Sequence, residues 1–505
     1  MGGTQSRRDF IKLMGLSAAA FAIPGNLGAL VKSGEKPNVV FILADDLGYS
    51  DLSCYGQKKF KTPNIDKLAA EGIKFTQAYA GSPVCAPSRC SLLTGLHTGH
   101  SYIRDNDEWD ERGDVWKDLI KYEGQRPIPA GTFTLGHLFK NSGYKTGLIG
   151  KWGLGAPGTE GVPNKQGFDF FYGYNCQRIA HTYYPPYLWR NEEKEYLEGN
   201  KFFLTDEKLP KDKDPNDPAS YERYKGKQYS YDLMLDESLK FINENKRNPF
   251  FLYFAPTIPH VALQVPDEDI KPFEDLYDDK PYLGNNGYLP QRKPRAAYAA
   301  MITKLDTGVG KIMSLLKKLN IDKNTLVIFT SDNGATFKIG GFDPDFFQSN
   351  GDLHGAKASM YEGGIRIPFI ARWPGKIKPG RETDQVCAFW DFMPTFADVI
   401  ESKKKVETDG VSILPTLLNK NGNQKQHEYL YWEYGSSQQA VRMNKYKGIR
   451  KKPDGELELY DLDKDPCEKI NIAKDFPNIV DKIKNIMITD RTESDLFPIF
   501  KKKKA

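Results

Sequence analysis

The sequence predicts an α/β fold, and three observations carry that prediction. Short runs rich in β-branched and aromatic residues (Val39–Leu43, Thr146–Ile149, Phe250–Phe254 and Leu326–Phe329) are apolar throughout rather than alternating. Unbroken apolarity of that length marks strands covered on both faces, as in parallel sheets. Helical periodicity lies between them: Pro63–Gly72 places Ile65, Leu68 and Ala69 on one face, and Ala296–Leu319 does so with Met301, Leu305, Val309, Ile312, Leu315 and Leu316. Finally, each run leads into a polar group able to do chemistry. Asp45-Asp46 follow the first, Lys151 the second, His260 the third and Asp332-Asn333 the fourth. Ligands of open α/β sheets bind beyond the carboxyl ends of the strands, so four such ends predict a composite site.

The segments between these elements have their own signatures. Residues 185–230 are rich in Pro, Lys, Glu and Asp without periodicity, and 266–295 carry many Pro, Asp and Gly. Both read as long surface excursions, which are functional more often than short ones. Lys/Asn/Gln-rich stretches at 401–410 and 419–427 mark a domain boundary. Beyond it, Tyr429–Trp432, Ala440–Arg442 and Leu457–Leu462 read as strands and Asn478–Met487 as a helix. The expected organisation is therefore a leader over 1–32, a catalytic domain over 36–420 and a smaller C-terminal α+β domain over 427–500.

A chain of 505 residues is long enough for such a pair of domains. Its net charge of +5 is small and dispersed, which disfavours nucleic acid as a partner; the Lys501–Lys504 tail reads as a solvated end. Six cysteines, at 54, 85, 90, 176, 387 and 467, form no C-x-x-C pair, against a zinc site and against a disulfide scaffold. Cys54, Cys90 and Cys387 read as buried thiols. At the N-terminus, Ser6-Arg7-Arg8-Asp9-Phe10-Ile11-Lys12 resembles a twin-arginine export signal, followed by an apolar stretch from Leu13 to Ile23. That stretch is too short for a stable membrane span. The expectation is export to the periplasm, or secretion, through the twin-arginine machinery, which carries folded proteins.

Between the first and second strands lies Cys85-Ala86-Pro87-Ser88-Arg89, continued by Leu92, Thr94 and Gly95. This run resembles the C-x-P-S-R-x-x-L-x-T-G signature of type I sulfatases, in which the cysteine is oxidised to formylglycine by a maturation enzyme. The resemblance extends along the chain. It includes Ala44-Asp45-Asp46-Leu47-Gly48, Gly150-Lys151-Trp152, Ser331-Asp332-Asn333-Gly334, Gly355-Ala356-Lys357, Glu362-Gly363-Gly364-Ile365-Arg366-Ile367-Pro368, and Leu459-Tyr460-Asp461-Leu462 with Asp465-Pro466 and Glu468. An Asp-Asp pair alone is equally a turn or N-cap signal, and a lone lysine reads as a solvated side chain. Their order within the motif set favours function.

The resemblance implies an alkaline-phosphatase-like architecture, with a large central mixed, mainly parallel sheet flanked by helices. It implies a metal held by Asp45, Asp46, Asp332, Asn333 and residue 85. Oxygen ligands of this kind suit Ca²⁺, with Mg²⁺ second. It further implies that hydrated formylglycine at 85 attacks sulfur and that Arg89, one helical turn on, steadies it. Lys151 and Lys357 would neutralise sulfate oxygens, and His260, with Lys357, would protonate the leaving alkoxide. The chain departs from the family pattern at Gly153, where many members carry the histidine that helps expel sulfate. His181 is the candidate to replace it, or to contact substrate.

A carbohydrate sulfate ester is the expected substrate class. Arg178, His181, Trp189 and Arg190 sit in one aromatic-rich excursion, and Lys338 and His354 adjoin the Asp332 and Lys357 blocks. Aromatic rings stack on sugars, and Arg grips sulfate or carboxylate by two hydrogen bonds. The expected polymers are algal, of the ulvan, carrageenan or agar type, with host glycosaminoglycans or mucin glycans as an alternative. A phosphonate or phosphate ester hydrolase of the same superfamily is a second alternative, and a glycan-binding protein with a silent site a third. The intact catalytic set counts against the last.

Overall fold

Five parallel strands form the centre of the computed structural model, which describes residues 36–107, 123–201 and 206–499. The leader expected over 1–32 lies outside the described residues. In chain order the large sheet uses β1 (Asn38–Ala44), β2 (Ile73–Tyr79), β3 (Lys145–Lys151), β4 (Phe170–Tyr174), β5 (Tyr187–Arg190), β6 (Glu193–Tyr196), β7 (Phe250–Ala255), β8 (Thr325–Ser331), β9 (Arg366–Arg372), β10 (Arg381–Thr383) and β11 (Cys387–Ala388). Its spatial order is β10-β2-β9-β8-β1-β7-β3-β4-β5-β6, with β11 also on β2. Strands β8, β1, β7, β3 and β4 run parallel, while β9 and β5 are antiparallel to their neighbours. The sheet is thus mixed and mainly parallel, as the sequence predicts.

Burial on both faces explains the unbroken apolar runs. Val40 and Ile42 pack with α1 (Pro63–Ala70), and on the same side lie two helices fixed by Met234 and Leu235 and by Leu305 and Val309. Val39, Phe41 and Leu43 point the other way, towards Leu92 and Leu93 and, further along the same layer, Phe139 and Phe396. Alternate residues of one strand thereby serve two cores. The helices of the first layer are α1, one at Ser230–Asn245 and one at Pro294–Lys318; those of the second are at Cys85–Thr94, Leu135–Asn141 and Phe392–Val399. In chain order, these are α1 to α6, with α2 starting at Cys85.

Residues 185–230 correct one expectation. They are not wholly a surface excursion: β5 and β6 extend the sheet from β4 before the chain enters α4 at Ser230. The short strands escape a sequence reading because β6, Glu193–Tyr196, is polar and largely exposed at the sheet edge.

The C-terminal region is a four-stranded antiparallel sheet of β12 (Leu430–Tyr434), β13 (Gln438–Met443), β14 (Tyr446–Arg450) and β15 (Glu458–Asp461), covered by α7 (Pro477–Thr489). Strand β14, with its Gly448, is the one the sequence reading missed. Tyr431, Val441 and Leu459 face α7, while Leu430, Trp432, Ala440 and Ile449 face Tyr79, Ile365 and Trp390. A buried ion cluster ties this sheet to the segment before β9. Lys447 lies 2.8 Å from Glu362 and 2.9 Å from Glu468, all fully enclosed, and the Glu362 N–H donates to Glu468. Two of the sequence motifs therefore meet on one lysine, as a structural joint.

A second joint carries a pH prediction. His97 and His100 follow α2 with their rings tilted against each other, centroids 4.3 Å apart. His100 Nδ1 lies 3.0 Å from Asp409, and His97 Nε2 lies 3.2 Å from Asp490 at the end of α7. The Asp409 contact raises His100 above its ordinary value of 6.5, and Asp409 is lowered below 3.8, its contacts with His100 and His97 outweighing burial. A raised histidine stabilises fully below its unfolded value, and that stability is lost as pH rises through the folded value; the carboxylate's share is lost at acid pH. The melting-temperature difference between the wild type and His100→Asn should therefore be widest between about pH 4 and 6.5 and shrink above that. A difference constant from pH 5 to 9 contradicts the pairing.

Candidate active site

Strand register brings the acidic groups together. Ala44 of β1 pairs with Ser331 of β8, so Asp45-Asp46 and Asp332-Asn333 emerge side by side. The Asp332 N–H donates to the Ala44 carbonyl, and the Asp46 N–H donates to Asp332 Oδ1 at 3.1 Å. Asp46 takes a left-handed backbone, with φ 60°, at a position where Asp is tolerated better than most residues. Neighbouring β7 and β3 deliver His260 and Lys151 to the same edge.

Helix α2 enters this edge with residue 85 as its first residue, and every residue of the helix is buried. Gly95, with φ 74°, ends it in the left-handed conformation a side chain would resist. Arg89 projects back to the acids. Its Nη2 donates to Asp332 at 2.8 Å and Asp45 at 3.3 Å, its Nε to Asp332 at 3.0 Å, and its Nη1 to the Lys151 carbonyl at 2.8 Å. Burial works against its charge, but Asp332 and Asp45 outweigh it and keep the guanidinium ionised.

The Cys85 sulfur lies 3.5 Å from Lys357 Nζ, 3.6 Å from Asp45 and 3.8 Å from Asp46. Lys151 Nζ contacts both Asp45 oxygens, at 3.0 and 2.8 Å, and Lys357 Nζ contacts Asp46 at 2.7 Å. Three carboxylates thus meet three cations in a nearly closed space, the balance a buried charge cluster requires. Burial pushes the Cys85 thiol well up, against the pull of Lys151 and Lys357. The unmodified thiol therefore stays protonated and is a poor nucleophile.

His260 Nε2 lies 3.1 Å from Lys357 and 3.4 Å from Asp46, while its Nδ1 bonds the Val261 carbonyl. That carbonyl can only accept, so Nδ1 carries the proton and the Nε2 lone pair faces the ammonium. His181 stacks on His260 with centroids 4.3 Å apart and planes within 11°. Burial first, then neighbouring cations, hold both rings well below the ordinary histidine value, and hence neutral. Tyr288 closes over the pair, 5.4 Å from His181 and 6.0 Å from His260.

The structure does not bring every expected substrate residue here. Trp189 is buried and donates to Glu123, and Arg190 is held by Glu195 and Glu237 over the Tyr172 ring. Because β5 runs antiparallel to β4, it carries both back from the catalytic edge. Lys338 is exposed beside Asp343, 3.7 Å away, and His354 stacks on Tyr361 at 3.9 Å. These four stand apart from the catalytic cluster in the structure. Arg178 is buried at the start of the turn holding His181, and its charge is felt by that ring. Gln177 is a residue the sequence reading missed. A Cβ on Gly153 would lie 2.6 Å from Gln177 Cγ, so this side chain fills the room a residue larger than glycine would need. Asn106 and Tyr288, in loops, and Tyr434, at the end of β12, were also missed, since none belongs to a motif.

The donor set fits a hard divalent cation. Ligand atoms of Asp45, Asp46, Cys85 and Asp332 all lie within 4.8 Å of one another. Asn333 Nδ2 donates to Asp46, leaving Asn333 Oδ1 buried with no hydrogen-bond partner. A buried acceptor left open beside three carboxylates is explained by a cation.

Comparison with known proteins agrees with this geometry. The sulfatase family model matches residues 37–402, and the model described as N-sulphoglucosamine sulphohydrolase, C-terminal, matches 354–493. The chain is 29% identical to an N-acetylgalactosamine-6-O-sulfatase of Bacteroides thetaiotaomicron, over 91% of this chain and 94% of that one. It is 32% identical to the N-acetylgalactosamine-6-sulfatase of Rattus norvegicus, over 82% and 71%. The solved structure of Ps i-CgsB in complex with k-i-k-neocarrahexaose superposes with a TM-score of 0.72 at 27% identity, covering 92% of this chain and 95% of that one. The chain belongs to the sulfatase family and is a sulfuric ester hydrolase.

Proposed function

We propose that the protein hydrolyses sulfate esters on a sulfated carbohydrate, using formylglycine made from Cys85 and a calcium ion held by Asp45, Asp46, Asp332 and Asn333. The observation that carries this reading is the convergence of Cys85, three carboxylates, Arg89, Lys151, Lys357 and His260 at one sheet edge. Carbohydrate is supported by relatives named for N-acetylgalactosamine sulfates and by a structural neighbour holding a neocarrahexaose. The curated names favour an amino-sugar sulfate of a host-type glycan. The neocarrahexaose complex favours an algal polymer.

Formylglycine at residue 85 would supply a hydrated aldehyde as the nucleophile, and a cation held by Asp45, Asp46, Asp332 and Asn333 would supply Lewis-acid charge. This chain's own residues do the rest. Arg89 fixes Asp45 and Asp332 as ligands. Lys151 and Lys357, next to residue 85, take the growing charge on the sulfate oxygens. Lys357 is the proton donor to the leaving oxygen, and its hydrogen bond to the His260 lone pair sets its direction. His181, neutral and stacked on His260, is the available base where Gly153 offers none. The twin-arginine-like segment, Ser6 to Lys12, is proposed to export the folded, already matured protein to the periplasm or beyond.

The test is sulfate release by protein whose formyl group at residue 85 is confirmed by mass, across sulfated polysaccharides both intact and depolymerised. Release from a sulfated glycan is expected. Release from no glycan, with turnover of a phosphonate ester instead, overturns the carbohydrate sulfate reading.

A further inference from the structure

Around the start of α2, Asn106, Gln177 and Asp105 present hydrogen-bond acceptors. Asn106 Oδ1 accepts the Ala86 N–H at 2.9 Å, one residue beyond Cys85, and also takes a hydrogen bond from Gln177 Nε2 at 3.3 Å. Gln177 is 5% exposed, and its Oε1 is buried with no hydrogen-bond partner. Asp105 continues the row. Its Oδ1 accepts the Asn106 N–H at 2.7 Å, and it has no ion-pair partner among the described residues. Burial, with Asp107 adding to it, outweighs the Asn106 N–H and raises its carboxyl above the ordinary range.

The turn between β12 and β13 closes this row against the catalytic centre. The Gly435 N–H donates to the Arg104 carbonyl at 2.8 Å, and a Cβ at 435 would lie 2.7 Å from Asp105 Oδ2. On the far side of the turn, Gln438 donates to the carbonyl of Ala358, the neighbour of Lys357. Tyr434 stands between: burial first, then Asp105, raises its hydroxyl to about 12, and the charges of Lys357 and Cys85 also reach it.

The open acceptors, Gln177 Oε1 and the Asp105 carboxylate, are satisfied only by donors. We infer that Asp105 and Gln177 read hydroxyl or amide N–H groups on the sugar ring bearing the scissile sulfate, and that this ring carries no second anion beside it. The inference rests on the carbohydrate reading above. A second sulfate or a uronate near Asp105 meets a like charge, which is how a site rejects a close analogue. Cations on the sulfate side and acceptors at the start of α2 together select a neutral, singly sulfated sugar.

The experiment compares binding of N-acetylgalactosamine monosulfate and disulfate to the Cys85→Ala protein by calorimetry. The monosulfate should bind at least about tenfold tighter, and adding Asp105→Asn should remove most of that gap while weakening the monosulfate by about tenfold or more, as expected for a hydrogen bond to a charged group. In matured enzyme, Asp105→Asn should lower kcat/KM on the monosulfate similarly and leave 4-nitrophenyl sulfate, which lacks sugar donors, within about twofold. Gln177→Leu, which keeps the volume against Gly153, should repeat the sugar-specific loss. Equal binding of monosulfate and disulfate, or equal loss on sugar and nitrophenyl esters, overturns the inference. Matured wild type that releases sulfate from no sugar fails the functional reading instead, and the binding comparison still decides this one.

Discussion

Replacing Cys85 with alanine should lower sulfate ester turnover by at least about 10⁴-fold, the scale on which removing a covalent nucleophile acts. The fold should survive, because the sulfur makes only long contacts of 3.5 to 3.8 Å with Lys357, Asp45 and Asp46. Losing them costs about 1 kcal/mol or less. The physical point lies in the thiol itself. Two lysines beside a cysteine ordinarily promote the thiolate, yet burial dominates here and the proton stays on sulfur. A thiol so placed is a poor nucleophile unless it is modified. Turnover by the alanine variant within tenfold of wild type contradicts the assignment of residue 85 as nucleophile.

Arg89→Ala should have the largest effect on stability, about 3–5 kcal/mol measured by denaturant unfolding in the presence of a chelator. Arg89 and both its acidic partners are at most 1% exposed, and it makes four hydrogen bonds, to Asp332, Asp45 and the Lys151 carbonyl. Without it, Asp332 loses its only ion-pair partner among the described residues, and a buried carboxylate remains uncompensated. Arg89→Lys should recover only part of this loss, since one ammonium cannot span the two carboxylates and the carbonyl as a planar fork does. Unfolding energies within about 1 kcal/mol of wild type for Arg89→Ala contradict the buried-network account.

The parts of this molecule legible in its sequence are those where chemistry and burial coincide. Val39–Leu43 and Leu326–Phe329 read as buried strands because each residue faces one of two cores, and the acids at their ends follow directly. Cys85, Arg89 and Lys357 were readable from their motif, whereas the residues that shape the pocket were not. Gln177 matters through contact with Gly153, 24 positions earlier, and Tyr434 through a turn of the other sheet. Such pairings come from topology and leave no local pattern. The placement of Trp189 and Arg190 was hidden for the same reason: an aromatic-rich stretch does not reveal that its strand turns back from the catalytic edge. Glu362 and Glu468, far apart in sequence, are both partners of Lys447, a pairing that no local pattern announces.

The measurement that tests the central claim most directly pairs mass analysis of residue 85 with turnover, in preparations matured to different extents. Turnover should rise in proportion to the fraction of chains carrying the formyl group and extrapolate to zero when all carry the thiol. Full turnover in protein whose Cys85 is unmodified would contradict it.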